Sequence, residues 1–174
     1  MTDTITVEEL RFERTLPAPV ETVWRYLTEP DLRARWFMGG SIDPRPGGKV
    51  EFIFDHDQLS DNDVPTPERY AANKGKRWTE QIIDIEPPHL IAYTFGKDSE
   101  GVATFQLTPS ANGGTVLTLV HSRIASRELA INYGGGWTSH LAVLEARLAG
   151  RPVPDFWALH KACQDKVAAE LADA

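Results

Sequence analysis

Five segments in the middle of the chain alternate apolar and polar residues, and this pattern constrains the fold more than any other feature. The segments are 49–56, 76–86, 90–96, 102–108 and 115–122. Alternation with a period of two predicts β-strands that bury one face. Short stretches rich in proline, glycine and asparagine separate the last four of these segments. Because strands with such short links pair antiparallel, the sequence predicts a meander.

Helical patterns lie on both sides of this predicted sheet. A strand at 5–16 comes first, and two short helices within 19–37 follow it. After the sheet, apolar residues recur at intervals of three and four, which predicts helices at 136–148 and 156–171. The polar stretch 57–73 is predicted to be a long, mobile loop. Helices that cover one face of an antiparallel sheet define an α+β fold.

The size of the chain fits one domain. It has 174 residues, of which 41% are hydrophobic and 25% are charged, values typical of a globular protein. We predict a single domain over 1–174, with a core at about 5–149 and a C-terminal helical extension at 151–174.

Charge and composition exclude several classes of protein. The formal net charge of −7 argues against nucleic-acid binding and against stable association with an anionic membrane. The sequence contains no long apolar run, and its start lacks the features of a signal peptide. The single cysteine, Cys163, fits a reducing compartment. We therefore predict a cytoplasmic protein.

Six short motifs resemble a known family. Each is weakly specific, but their order and spacing are similar to those of the activator of Hsp90 ATPase homologue branch of the START-like superfamily (also called SRPBCC or Bet v 1-like). The motifs lie at 17–24 (PAPVETVW), 32–37 (LRARWF), 45–49 (RPGGK), 85–90 (IEPPHL), 117–121 (LTLVH) and 136–141 (GWTSHL).

This resemblance implies a fold and a range of functions. The implied fold is the helix-grip fold, in which a curved antiparallel sheet wraps around a long C-terminal helix and leaves a cavity between them. Members of the superfamily bind lipids, hormones and aromatic metabolites, some cyclise or dehydrate polyketides, and eukaryotic ones stimulate the Hsp90 chaperone. The fold does not choose among these functions.

Three consecutive glycines, Gly134 to Gly136, precede Trp137. They lack the spacing and the following lysine of a phosphate-binding loop. We interpret them as a hinge or turn that gives the backbone freedom, and a close approach, where the long helix begins.

His140 shares the apolar face of the predicted helix with Trp137 and Leu144. A histidine at this position could bind a ligand or act as an acid or base. The alternative is a core histidine whose hydrogen bond is satisfied by a side chain of the sheet. His121 ends a strand that could bring it close to His140.

Other chemically active residues indicate no metal or cofactor. The acidic residues around Asp55 lack the spacing of a calcium loop, and no zinc-binding motif occurs. Cys163 lies on an apolar helical stripe, which favours a buried role over a reactive one. Glu80 and Asp84 share a strand face and are predicted to belong to the solvated side of the sheet.

The aromatic residues suggest the position of a ligand site. A core and a cavity wall have the same composition, so simple core packing is the competing interpretation. The predicted ligand-binding residues are Trp36, Phe37, Phe52, Phe54, Tyr93, Phe105, Trp137, His140, Leu141 and Leu144.

Three functions follow from these observations. The first is non-enzymatic binding of a small hydrophobic or aromatic molecule. The second is a polyketide cyclase or dehydratase that uses His140. The third is a chaperone-interacting module, which we consider weaker because eukaryotic activators carry a further N-terminal domain for which this chain has no room. A homodimer stays open as an alternative.

Overall fold

A seven-stranded antiparallel sheet forms the body of the protein. The computed structural model describes residues 3–172. The sheet has the order β1-β2-β7-β6-β5-β4-β3 and curves around a long helix. The strands are β1 (Thr4–Ile5), β2 (Glu9–Leu16), β3 (Lys49–Ile53), β4 (Arg77–Glu86), β5 (Leu90–Thr94), β6 (Val102–Pro109) and β7 (Thr115–Ser122).

The sheet follows the predicted meander from β3 to β7, and β2 closes it by pairing with β7. One predicted strand is divided in two, since 5–16 forms β1 and β2 with a bend between them. The strand predicted at 49–56 ends at Ile53, although Phe54 still bonds to Lys76 through its backbone. The α+β prediction is confirmed.

Five α-helices accompany the sheet within residues 3–172. Pro19 precedes the first of them, in keeping with its fixed φ. The Ser126 side chain caps the long fourth helix by accepting a hydrogen bond from the Leu129 N–H, and Gly150 ends that helix in the left-handed conformation. The helices are α1 (Val20–Thr28), α2 (Pro30–Arg33), α3 (Glu68–Ala71), α4 (Arg127–Ala149) and α5 (Phe156–Ala172).

The predicted loop at 57–73 is structured. It contains a single-turn 3-10 helix (Asp57–Leu59) and the helix α3. The Leu59 side chain is fully buried, and Asp61 accepts hydrogen bonds from Arg147 and from the Val153 backbone N–H. This stretch is therefore attached to both α4 and the segment before α5.

The glycine triplet does not start the long helix, so the interpretation as a hinge is wrong. Helix α4 begins at Arg127, and Gly134 to Gly136 lie inside it with ordinary φ values. The close approach that the sequence also predicted is present, and it is made by α5. A Cβ at Gly134 would lie 2.8 Å from Val167 Cγ1, and a Cβ at Gly135 would lie 2.8 Å from Gln164 Cα.

Gly135→Ala is expected to lower the free energy of unfolding by about 1–3 kcal/mol, because the new methyl group meets backbone that must shift. Gly136→Ala is the matched control. A Cβ there meets nothing within 4 Å, so the better helix propensity of alanine should raise stability by about 0.5–1 kcal/mol. Urea denaturation of both variants checks this, and equal stability of the two would contradict the close packing of α5.

Glu80 is another departure from the prediction. Asp84 is exposed as expected, but Glu80 is only 3% exposed. Its carboxylate accepts hydrogen bonds from the hydroxyls of Thr94 (2.9 Å) and Ser99 (2.6 Å). A buried carboxylate needs such partners, and these bonds tie β4 to β5 and to the turn after it.

Candidate ligand-binding site

A cavity of about 350 Å³ lies between the β3–β4 side of the sheet and helices α4 and α5. Most of its wall is aromatic, and three histidines contribute to it. The lining residues are Phe37, Met38, Phe54, His56, Tyr70, Asn73, Lys76, Trp78, Phe95, Asn132, Tyr133, Gly136, Trp137, His140, Trp157 and His160.

Helix α4 supplies one wall because of its residue spacing. Tyr133, Gly136, Trp137 and His140 recur at intervals of three and four, so they share one helical face. Gly136 carries no side chain, which leaves room in the middle of this wall. Helix α5 packs closely against α4, and its first turns contribute Trp157 and His160 to the cavity lining.

The structure divides the ten predicted site residues into two groups. Phe37, Phe54, Trp137 and His140 line the cavity. The other six do not line this cavity and are buried in the hydrophobic core: Trp36, Phe52, Tyr93, Phe105, Leu141 and Leu144. The cavity therefore lies to one side of the buried core, beside Phe54, Trp78 and Phe95.

Several lining residues were absent from the prediction. Tyr70 and Trp157 stack with ring centroids 5.0 Å apart, which joins α3 to α5 across the cavity wall. His56 lies 5.5 Å from Trp157 by the same measure. The alternating pattern of 49–56 did place Phe54 and His56 on one face, and this was the available signal for His56. No local pattern marks Tyr70 or Trp157 as neighbours.

His140 is held by the backbone. Its Nδ1 lies 2.8 Å from the Trp36 carbonyl oxygen, and its ring is 5% exposed. The partner is thus a main-chain carbonyl rather than a side chain of the sheet. Burial lowers the pKa of His140 well below 6.5, and the neighbouring His56 lowers it further, while the Trp36 carbonyl raises it. The imidazole is neutral near pH 7.

His56 and Tyr70 each place an unpaired polar atom in a buried position. His56 Nδ1 and the Tyr70 hydroxyl have no hydrogen-bond partner among residues 3–172. Burial lowers the pKa of His56 to about 4, despite opposing contributions from the Asp55 backbone and Asp57. Such orphaned groups are rare in folded proteins, and a bound polar group that pairs with them is one explanation.

His121 orients the Trp137 side chain through a hydrogen bond. Its indole N–H donates to His121 Nδ1 (2.9 Å), and His121 Nε2 lies 3.0 Å from the Phe95 carbonyl oxygen. Because the indole can only donate, Nδ1 must be unprotonated and Nε2 must carry the hydrogen. Burial lowers the pKa of His121 to about 4. His121 therefore orients a cavity residue without lining the cavity itself.

The outer part of the cavity is polar. Lys76 donates a hydrogen bond to the Asn73 side-chain oxygen at 2.9 Å, and Asn132 lies on the same lining. Within residues 3–172, no group of three or more His, Cys, Asp or Glu side chains could hold a metal ion. No helix in this range is long and apolar enough to cross a membrane.

The curved antiparallel sheet around α4, with short helices after its second strand, defines a START-like protein of the helix-grip type. The family model described as "Activator of Hsp90 ATPase homolog 1-like protein" matches residues 17–149, so the chain belongs to that family. Among curated proteins, no match was found.

Solved structures share the fold over nearly the whole chain. The protein encoded by gene BPP1335 of Bordetella parapertussis is 32% identical, with a TM-score of 0.80 over 98% of this chain and 96% of its own. CalU16 of Micromonospora echinospora is 19% identical, with a TM-score of 0.66 over 97% and 98%. The Enterococcus faecalis protein EF2215, described as of unknown function, is 22% identical, with a TM-score of 0.69 over 97% and 92%.

Proposed function

We propose that the protein binds a small aromatic or hydrophobic molecule in the cavity between the sheet and helices α4 and α5, without transforming it. The observation that carries this proposal is the aromatic lining of a cavity of about 350 Å³. Small-molecule sites typically occupy about 300–1,000 Å³ and combine apolar walls with a few polar groups.

The rings are placed to hold a flat ligand. Phe37 lies with its ring centroid 5.1 Å from that of Trp137, and Trp157 stacks on Tyr70 on the same lining. Aromatic pairs favour such offset or tilted distances, and a bound ring would add contacts of the same kind. Since His121 and the Trp36 carbonyl fix Trp137 and His140, the wall is preorganised.

The state of His140 favours binding over catalysis. A general base works best when its pKa lies near the working pH. Burial lowers the pKa of His140 well below 6.5, which makes the ring a weak base at neutral pH. It remains a good hydrogen-bonding group, and this is the role that the proposal gives it.

Wild-type protein is expected to bind the neutral dye N-phenyl-1-naphthylamine with a saturable increase in fluorescence, because its rings would enter an apolar cavity. Native mass spectrometry of protein purified without denaturation should also show a retained hydrophobic molecule. Failure of both measurements would contradict the proposal. A product formed from an aromatic polyketide, dependent on His140, would instead establish an enzyme.

A further inference from the structure

We infer that the cavity selects aromatic molecules that carry a hydroxyl group, and that His140 Nε2 and the Tyr70 hydroxyl are the groups that recognise it. This inference rests on the proposed function and specifies the ligand class of the same site. It follows from three polar groups on the lining whose hydrogen-bonding capacity the protein leaves unused.

His140 presents an acceptor. The Trp36 carbonyl can only accept a hydrogen bond, so His140 Nδ1 must carry the hydrogen that it donates at 2.8 Å. In the neutral ring, Nε2 then has a free lone pair. This nitrogen makes no hydrogen bond within residues 3–172, and His140 lines the cavity. A ligand that contacts Nε2 must therefore bring an O–H or N–H donor.

Tyr70 and His56 add complementary groups. The Tyr70 hydroxyl can donate and accept, and it lacks a partner among the described residues. His56 Nδ1 is also unpaired, and the His56 ring lies with its centroid 4.9 Å from that of His140. His56 also contacts Trp157, on which Tyr70 stacks, so ring contacts connect all three residues.

A hydroxyl group matches this cluster better than the alternatives. It donates through its hydrogen and accepts through its oxygen, so it can pair with His140 Nε2 and with Tyr70 together. A pure hydrocarbon would bury His140 Nε2 and the Tyr70 hydroxyl without giving either a hydrogen-bond partner, and this would reduce the binding free energy. A carboxylate has no hydrogen to donate to Nε2, and its charge would lose hydration beside a neutral histidine.

Three naphthalenes of similar size test this inference by isothermal titration calorimetry. The probe 2-naphthol has a donor, 2-methoxynaphthalene has only an acceptor, and 2-methylnaphthalene has neither. We expect wild-type protein to bind 2-naphthol about tenfold or more tightly than the other two. The reason is that the other two would bury His140 Nε2 without a hydrogen-bond donor, which costs free energy. Equal affinity for all three would overturn the inference and leave the proposed function standing. No binding of any of them would count against both.

Two variants assign the selectivity to its residues. His140→Asn keeps an N–H near the position of Nδ1 for the Trp36 carbonyl and removes Nε2, so the preference for 2-naphthol should fall to about threefold or less. Tyr70→Phe removes a hydroxyl that bonds to nothing in the described protein. This second variant should fold normally, and it should bind 2-naphthol several-fold more weakly, a larger loss than any change in its affinity for 2-methylnaphthalene.

The results for these variants can also contradict the inference. If both fold and both keep the full preference for 2-naphthol, the hydroxyl is recognised elsewhere, and His140 and Tyr70 have only a packing role. If His140→Asn does not fold, as circular dichroism would show, Tyr70→Phe and the wild-type comparison still decide the outcome.

Discussion

Gly136→Leu is expected to weaken binding of 2-methylnaphthalene by about 100-fold, which corresponds to about 2.7 kcal/mol of binding free energy. Gly136 lies in the middle of the α4 wall, and a Cβ built there meets no atom within 4 Å. A leucine side chain would therefore grow into the cavity itself. Because the space is occupied, the ligand must either be excluded or displace a side chain that is covalently attached to the helix.

The same substitution is expected to leave the fold intact. Leucine is a better helix former than glycine by up to about 1 kcal/mol, and the new side chain covers apolar wall. Loss of binding together with unchanged or higher stability in urea denaturation would locate the ligand in the cavity. Unchanged affinity in a folded Gly136→Leu protein would show that the ligand binds elsewhere.

Leu144→Trp provides the contrasting control. The sequence alone would choose this substitution to fill a cavity, because Leu144 lies on the inner face of the helix with Trp137 and His140. In the structure Leu144 is fully buried in the hydrophobic core and does not line the cavity. Tryptophan at this position is expected to cost about 1–3 kcal/mol of stability through overpacking.

The sheet could be predicted from the sequence because its signal is local. Alternation along each strand and the turn residues between strands are visible within short windows, and antiparallel pairing follows from the short links. The start of α4 could not be predicted in this way. Glycines at 134–136 disfavour a helix locally, and only the packing of α5 against Gly134 and Gly135 explains their place inside it.

Only part of the site could be predicted, because only local sequence signals were available for it. Trp137 and His140 follow from helical spacing, since one local element carries both. His56, Tyr70 and Trp157 meet through the loop at 57–73 and the extension, which are distant in sequence. Core and cavity aromatics also look alike in a sequence, so Phe52 and Phe54 could not be separated. The single domain, the cytoplasmic location and any chaperone or second-copy partner stay predictions.

Acid is expected to destabilise the protein between pH 6.5 and 4, and the buried histidines are the cause. Burial lowers the pKa of both His56 and His121 from 6.5 to about 4. Between these values the unfolded chain binds protons that the folded protein cannot, so stability falls as the pH falls. The free energy of unfolding is not reduced by these histidines above about pH 6.5. At pH 4, each of them has lowered it by about 3 kcal/mol.

This loss is large compared with the whole stability of a domain, about 5–15 kcal/mol. By pH 4, two such histidines remove about 6 kcal/mol, and His140 acts in the same direction. Urea denaturation at pH 7, 6, 5 and 4.5 measures the slope. The His56→Leu variant should have a shallower slope whatever its absolute stability, because one of the groups that bind extra protons on unfolding is gone.

The carboxylates of the ion pairs in the stretch 57–73 become protonated only at lower pH, so they do not affect the slope measured between pH 7 and 4.5. Arg147 and the Val153 N–H lower the pKa of Asp61, and Lys74 lowers that of Asp57, each from 3.8. Their contributions persist until the pH falls below about 4 and vanish only as these carboxylates become protonated. Stability that is flat from pH 7 to 4.5 would therefore mean that the buried histidines accept protons in the folded state, which would contradict the neutral, hydrogen-bonding role given to His140 and His56.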